Sequence, residues 1–249
     1  MIAHRRVSTI DQLDTFEDFY SVEDARFDLI YPAEIRQLSA RHWTPLAVAR
    51  RAAKLLVTKP ATKVLDLGCG PGKFCIIGAL TTAGHFTGVE QRDRLAALAR
   101  TTIQRHEIPN AEIIHGNLTQ VDFADYDAFY LFNPFEENLF VTGKIDTSLE
   151  LSTTLYAEYT RHVCSELARA PLGTRVVTYC GFCEEVPVCY DCVDSSFDDT
   201  LKLWRKTRDC PAADGMLGAR IARKAWHFLF GLAGGGRPNF GFARKTAAA

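Results

Sequence analysis

The run Val64-Leu65-Asp66-Leu67-Gly68-Cys69-Gly70-Pro71-Gly72 carries the strongest chemical signal in the chain. Apolar residues lead into alternating glycines, so a strand end turns tightly and lets a ligand approach the backbone without side-chain obstruction. A dinucleotide loop needs Gly-x-Gly-x-x-Gly, but the sixth position counted from Gly68 is Lys73. The phosphate loop Gly-x-x-x-x-Gly-Lys-Ser/Thr is absent too, because Phe74 follows Lys73 and the glycines are wrongly spaced. The carboxylate of Asp66 suits a ligand carrying an ammonium or sulfonium better than a phosphate. Glu90 closes the next strand, where a carboxylate can accept both hydroxyls of a ribose. Alone, either feature could be a plain turn or a solvated strand end. On consecutive strands they point to a nucleoside-like ligand.

A second constellation is Tyr130-Leu131-Phe132-Asn133-Pro134-Phe135-Glu136-Glu137-Asn138, another strand ending in polar residues. Asn133-Pro134 alone would serve as a turn initiator, although polar groups at a strand end beside a ligand loop can also belong to a site. Candidate bases near these positions are Glu136, Glu137, His42 and His115, none singled out by spacing, and His115 on a strand reads first as structural. Tyr31, Trp43 and Thr44 precede the first strand and are candidate residues of a closing segment.

The elements that must position these residues alternate in type. Thr44-Pro45 predicts a helix start, with the threonine as cap and proline in the first turn, and apolar positions repeat at helical period to Thr58. Strands are expected at 63–67, 85–90, 111–115, 127–132 and 174–179, with helices over about 71–83, 92–106 and 148–168. This alternation predicts an α/β fold: a Rossmann-like, seven-stranded, mostly parallel sheet with helices on both faces. Two further strands, near 186–193 and 201–205, have no convincing helix between them and predict an antiparallel last strand. A sheet of this kind binds ligands beyond the carboxyl ends of its strands.

In this order and with these loops, the sequence resembles the class I S-adenosylmethionine-dependent methyltransferases over roughly residues 44 to 206. Val64–Gly72 is similar to their first motif and Gly88-Val89-Glu90 to their second. His115-Gly116-Asn117 falls where the family often has glycine-aspartate touching adenine, with Asn117 replacing the acid. The resemblance implies S-adenosyl-L-methionine as cofactor. It places Asp66, Gly68, Gly70 and Gly72 at its amino-acid and ribose region, Glu90 on the ribose hydroxyls and Asn117 near adenine. Asn133-Pro134-Phe135 resembles the Asn/Asp-Pro-Pro-Tyr/Phe motif of amino-group methyltransferases, with one proline missing. More loosely, it is similar to the strand end of non-SET histone-lysine methyltransferases. These three residues would shape the acceptor site.

Cys180-x-x-Cys183 and Cys189-x-x-Cys192 have the pairing used by structural zinc sites. The short loop between them and the adjacent Glu184-Glu185 favour free thiols, so no metal site is assigned. Eight cysteines behind an N-terminus that does not read as a secretory signal predict reduced thiols and a cytoplasmic protein. Net charge is −1, and no apolar run is long enough to span a membrane, so an integral membrane protein is excluded.

Residues 211–249 carry six basic residues, Arg220, Arg223, Lys224, Arg237, Arg244 and Lys245, against the single acid Asp214, which leaves an acidic body. The expected organisation is a helical lid or substrate segment at 1–43, a methyltransferase domain at 44–210 and a basic amphipathic extension at 211–249. That extension could contact an acidic partner, a membrane surface or the chain's own body. The expected activity is N-methylation of a small molecule or a protein amino group. The alternatives are a nucleic-acid methyltransferase recruited by the tail and a catalytically silent scaffold.

Overall fold

A computed structural model describes residues 19–139 and 143–210. The chain divides into two compact units at Cys210/Pro211, and the predicted basic helix of 211–249 lies outside the described residues, as do the first 18.

The first unit opens with helices α1 (Val22–Phe27), α2 (Ala33–His42) and α3 (Leu46–Leu56). Strand β1 (Lys63–Leu67), helix α4 (Lys73–Thr81), strand β2 (His85–Glu90), helix α5 (Asp93–Arg105) and strand β3 (Ala111–His115) follow. Then come β4 (Ala128–Phe132), helix α6 (Thr153–Arg169), β5 (Arg175–Tyr179), β6 (Tyr190–Ser196) and β7 (Leu201–Lys206). The seven strands form one sheet in the order β3-β2-β1-β4-β5-β7-β6. The first five strands run parallel, and β7 pairs antiparallel with both β5 and β6. This is the Rossmann-like architecture expected from the sequence, finished by an antiparallel hairpin.

The period-2 alternation of the strands sorts side chains onto two faces. Val64, Phe86, Ala128, Tyr130 and Val177 pack under α3, α4 and α5. Leu65, Leu67, Phe129, Leu131 and Val176 pack against Tyr156, Val163 and Leu167 of α6. Both faces are covered, as a parallel sheet requires.

Several boundaries differ from expectation, each for a local reason. Helix α3 starts after Pro45, and the Thr44 hydroxyl does not cap it. That hydroxyl instead makes a buried 2.8 Å hydrogen bond with the Tyr130 hydroxyl. Helix α6 starts at Thr153, capped by Ser152, whose Oγ accepts from Leu155 N. Ser148, expected as the start, is held in a turn by Asp146 Oδ1.

The thiols also depart from the prediction of free cysteines throughout. Cys189 is joined to Cys210 by a disulfide that closes a loop with a sequence separation of 21. Spacing within the two Cys-x-x-Cys pairs gave no sign of this, because Cys210 belongs to neither. With Cys189 buried and bonded elsewhere, the four thiolates do not form a zinc set, and no cluster able to hold a metal occurs among the described residues.

Candidate active site at the carboxyl ends of β1 and β4

After β3 the chain returns to the centre of the sheet, so β1 and β4 are neighbours whose following loops diverge. That divergence opens a crevice at the strand ends. The glycine loop leaves β1 on one side, and Asn133-Pro134 leaves β4 on the other.

Gly68 and Gly70 have φ of +80° and +56°, a region that side chains resist. A Cβ on Gly70 would sit 2.4 Å from Trp43 Cζ3, and one on Gly68 would sit 3.3 Å from Pro134 Cβ. The loop is therefore backbone pressed between an indole and a proline. Glu90 fixes its shape: Oε2 accepts from Gly70 N at 2.9 Å, and Oε1 from Arg92 N at 2.7 Å. Burial raises the Glu90 pKa, and these backbone bonds oppose the rise. Asp66 lies behind the loop, 3% exposed, with Cys75 Sγ 3.5 Å from its Oδ2. Burial pushes its carboxyl up to about 8, and Glu90 adds to the rise. A desolvated carboxyl without a cation is what a ligand ammonium or sulfonium would relieve, so the donor set fits the predicted cofactor.

A cleft of about 160 Å³ runs along this loop, walled by Trp43, Gly68, Gly70, Glu90, Asn133 and Glu137, among others. Asp66 and Gly72 stand outside its lining. Asn117 does too: its Oδ1 already accepts from Thr119 N and Oγ1, at 3.0 and 2.9 Å, and its Nδ2 donates to the Tyr159 hydroxyl. The oxygen assigned to adenine thus caps a turn, and the neighbouring Gly116 and Leu118 reach the cleft instead.

On the acceptor side, Asn133 is held at φ +41° and its Oδ1 is buried without a hydrogen-bond partner. Phe135 lines the cleft but is only 2% exposed, and its ring packs 5.4 Å from the Tyr159 ring. A side chain two residues past an Asn-Pro turn folds back into the core because the α6 face offers apolar contact there.

The candidate bases separate cleanly. His115 lies apart from the cleft, 3.5 Å from Asp93. Glu137 is spent on Arg92 Nη2 at 3.0 Å and on Ile145 N at 2.7 Å. His42 lines the cleft, but burial, with Arg41 and Arg92 nearby, pushes it down to about 4. Glu136 also lines it and is pushed up to about 7 by burial and by Glu185.

Sequence reasoning missed Arg92, which ties the glycine-loop side to Glu137 and to Asp146 at 3.1 Å. It also missed Glu185, which entered only as a charge near the cysteines. Tyr31 and Trp43 pack together with Ile35 and Leu95, and the Trp43 indole N–H donates to the Ile35 carbonyl.

Residues 64–142 match the family model of the methyltransferase domain. Demethylmenaquinone methyltransferase of Listeria welshimeri is 29% identical over 84 residues, covering 33% of this chain and 36% of that protein. The Bacillus mycoides enzyme of the same name is 26% identical over 78 residues, covering 30% and 33%. The chain thus spans about a third of the length of the curated relatives it matches. TrmN from Thermus thermophilus superposes with a TM-score of 0.50 at 16% identity, covering 68% of this chain and 51% of that one. The glycine loop, the sheet order and the matched segment together define the class: the chain carries a class I S-adenosylmethionine-dependent methyltransferase domain.

Proposed function

We propose that this protein transfers a methyl group to an amino nitrogen of a small molecule or a protein. The observation that carries this reading is the contact of Pro134 with Gly68, which brings Asn133, whose Oδ1 is buried without a partner, to the wall of the cleft along the glycine loop. An amide oxygen there accepts from a nitrogen acceptor and fixes its approach. S-adenosylmethionine, when bound, supplies an electrophilic methyl on sulfur. Transfer of that group needs alignment and exclusion of water more than acid–base work.

The chain's own residues provide these conditions. Gly68 and Gly70 admit the ligand against bare backbone, and Gly72 starts α4. Glu90 shapes the loop and, by its place at the end of β2, receives ribose hydroxyls. Asp66 supplies negative charge to the cationic end. Asn117 orders the turn whose neighbours would flank adenine. Asn133 and Pro134 face the acceptor, with Phe135 supporting them from the core.

Residues 44–210 form the methyltransferase domain in this reading. Residues 1–43 contribute its closing segment, and 211–249 a basic extension for an acidic partner or surface. No helix among the described residues is long and apolar enough to cross a membrane. A cytoplasmic site of action accords with the six cysteines that stand outside the Cys189–Cys210 disulfide.

The test is calorimetric titration with S-adenosylmethionine and S-adenosylhomocysteine on wild type, Asp66→Ala and Glu90→Ala, followed by labelled-methyl transfer to amine acceptors. Binding lost in both variants and label in amines are expected. A folded wild type that binds neither ligand would sink the reading.

A further inference from the structure

Beside the main cleft lies a separate void of about 10 Å³, the room of roughly one water. It shares Asn133, Pro134, Phe135 and Glu136 with the cleft and is closed on the far side by Tyr156, Thr178, Cys180, Gly181 and Glu185, among others. Acceptors dominate its polar groups. Asn133 Oδ1 is buried without a partner and aims at Gly181, where a Cβ would stand 2.0 Å away; Glu136 Oε1 would be 3.9 Å from the same point. Glu185 is 8% exposed. Among the described residues, no ion pair engages Glu136 or Glu185.

The nearby donors are committed elsewhere. The Tyr156 hydroxyl donates to Glu184 Oε2 at 3.1 Å. Thr178 Oγ1 accepts from the Trp204 indole at 2.9 Å and meets Cys183 Sγ at 3.4 Å. Lys202 acts on Cys183, whose thiol is itself raised by burial. Asn133 Oδ1 and Glu185, both buried, and the partly buried Glu136 thus surround a water-sized space with no cation paired to them among the described residues. An ammonium brings three N–H donors and no acceptor, the complement of this set, and its charge offsets the cost of two desolvated carboxylates.

We propose that this void is the ammonium end of the acceptor site: it receives the protonated primary amine of an aliphatic chain, held by Asn133 Oδ1, Glu136 and Glu185. Glu136, which borders both void and cleft, then takes one proton. The N–H bond breaks, its electron pair stays on nitrogen as the lone pair, and the Glu136 carboxylate becomes a carboxylic acid. Glu185 keeps its charge and holds the amine in place. Burial pushes both carboxyls up to about 7, with Glu185 adding to the rise at Glu136 and Glu184 to that at Glu185, suited to this exchange at neutral pH. The inference rests on the amino-nitrogen reading above and narrows it to aliphatic amines.

The test uses full-length protein saturated with S-adenosylhomocysteine, titrated with n-butylammonium and, separately, with neutral n-butanol. Glu185→Gln and Glu136→Gln keep side-chain shape, and melting curves and S-adenosylhomocysteine affinity report whether each variant is folded. Saturable n-butylammonium binding is expected, at least tenfold tighter than n-butanol and weakened at least tenfold by Glu185→Gln. Repeating the titration with an acetylated, amidated lysine tripeptide separates the two sources of such an amine. Tighter binding of the peptide supports a protein lysine, and tighter binding of n-butylammonium a free amine. Equal binding of butanol and butylammonium, or a folded Glu185→Gln variant with unchanged affinity, would overturn the inference while leaving the methyl-donor site intact. Failure of S-adenosylhomocysteine to bind at all would overturn the underlying reading as well.

Discussion

Lys73 Nζ lies 2.9 Å from Asp28 Oδ1, with both side chains 1% exposed. The same ammonium is 3.0 Å from Asp24 Oδ1 and 3.2 Å from Ser39 Oγ, with the Tyr20 and Phe27 rings within 6 Å. Asp24 Oδ1 also accepts from Leu46 N, and Tyr20 donates to Asp28 Oδ2. One cation from the start of α4 thus fastens the segment from Tyr20 to Ser39 onto the glycine-loop helix.

Replacing Lys73 by methionine keeps the volume and strands two buried carboxylates. Removing one partner of a buried pair costs about 3–5 kcal/mol, so Lys73→Met should lower the denaturation midpoint sharply. Lys73→Met/Asp24→Asn/Asp28→Asn should recover part of that loss. A single variant within about 1 kcal/mol of wild type in urea melts would show that this cluster does not anchor the segment.

Gly70→Ala sets a methyl against the Trp43 ring at a backbone angle that alanine resists. The expected result is loss of S-adenosylhomocysteine binding by more than tenfold and a melting temperature several degrees lower. Gly173→Ala, at a similar positive φ but with open space around a Cβ and outside the cleft lining, is the control and should bind within a few-fold of wild type. Tight binding by Gly70→Ala would mean that the loop tolerates a wider path than its contacts suggest.

Asp66 gives a pH signature with a defined sign. Its carboxyl goes from an ordinary 3.8 to about 8 on folding, so the folded state holds the proton more tightly. That contribution to stability is complete below about pH 4 and is lost as pH rises through 8. Glu136 and Glu185, raised to about 7, act in the same direction. Asp66→Asn should flatten the fall in stability between pH 4 and 8 and leave the unliganded protein more stable than wild type at pH 8. Parallel stability curves for the two proteins would exclude Asp66 as the source.

Local sequence sufficed for features that depend on neighbours in the chain. The strand before Gly68, the tight turn of the loop glycines and the carboxylate closing β2 all follow from short-range pattern, and the mostly parallel sheet from the alternation of elements. Side chains whose partners come from distant segments were not legible. The Thr44 hydroxyl meets Tyr130 across the core, the Asn117 amide donates to the Tyr159 hydroxyl, and Phe135 is drawn inward by the Tyr159 ring. The Cys189–Cys210 bond and the approach of Glu185 to Glu136 depend on how β6 and β7 fold back on β5. Periodicity does not carry that information.

The two walls of the crevice are written in separate, contiguous stretches. Residues 63–92 hold the glycine loop and Glu90, whereas the void is built from residues 131–136, Tyr156 and residues 178–185. Beyond the β1–β4 ladder, Pro134 against Gly68 and Arg92 with Glu137 join them at short range. The fold is therefore modular with respect to chemistry: exchanging the loops after β4 and β5 as a cassette leaves the methyl-donor half intact. Chimeras grafted at those loops would inherit a new acceptor preference on an unchanged chassis.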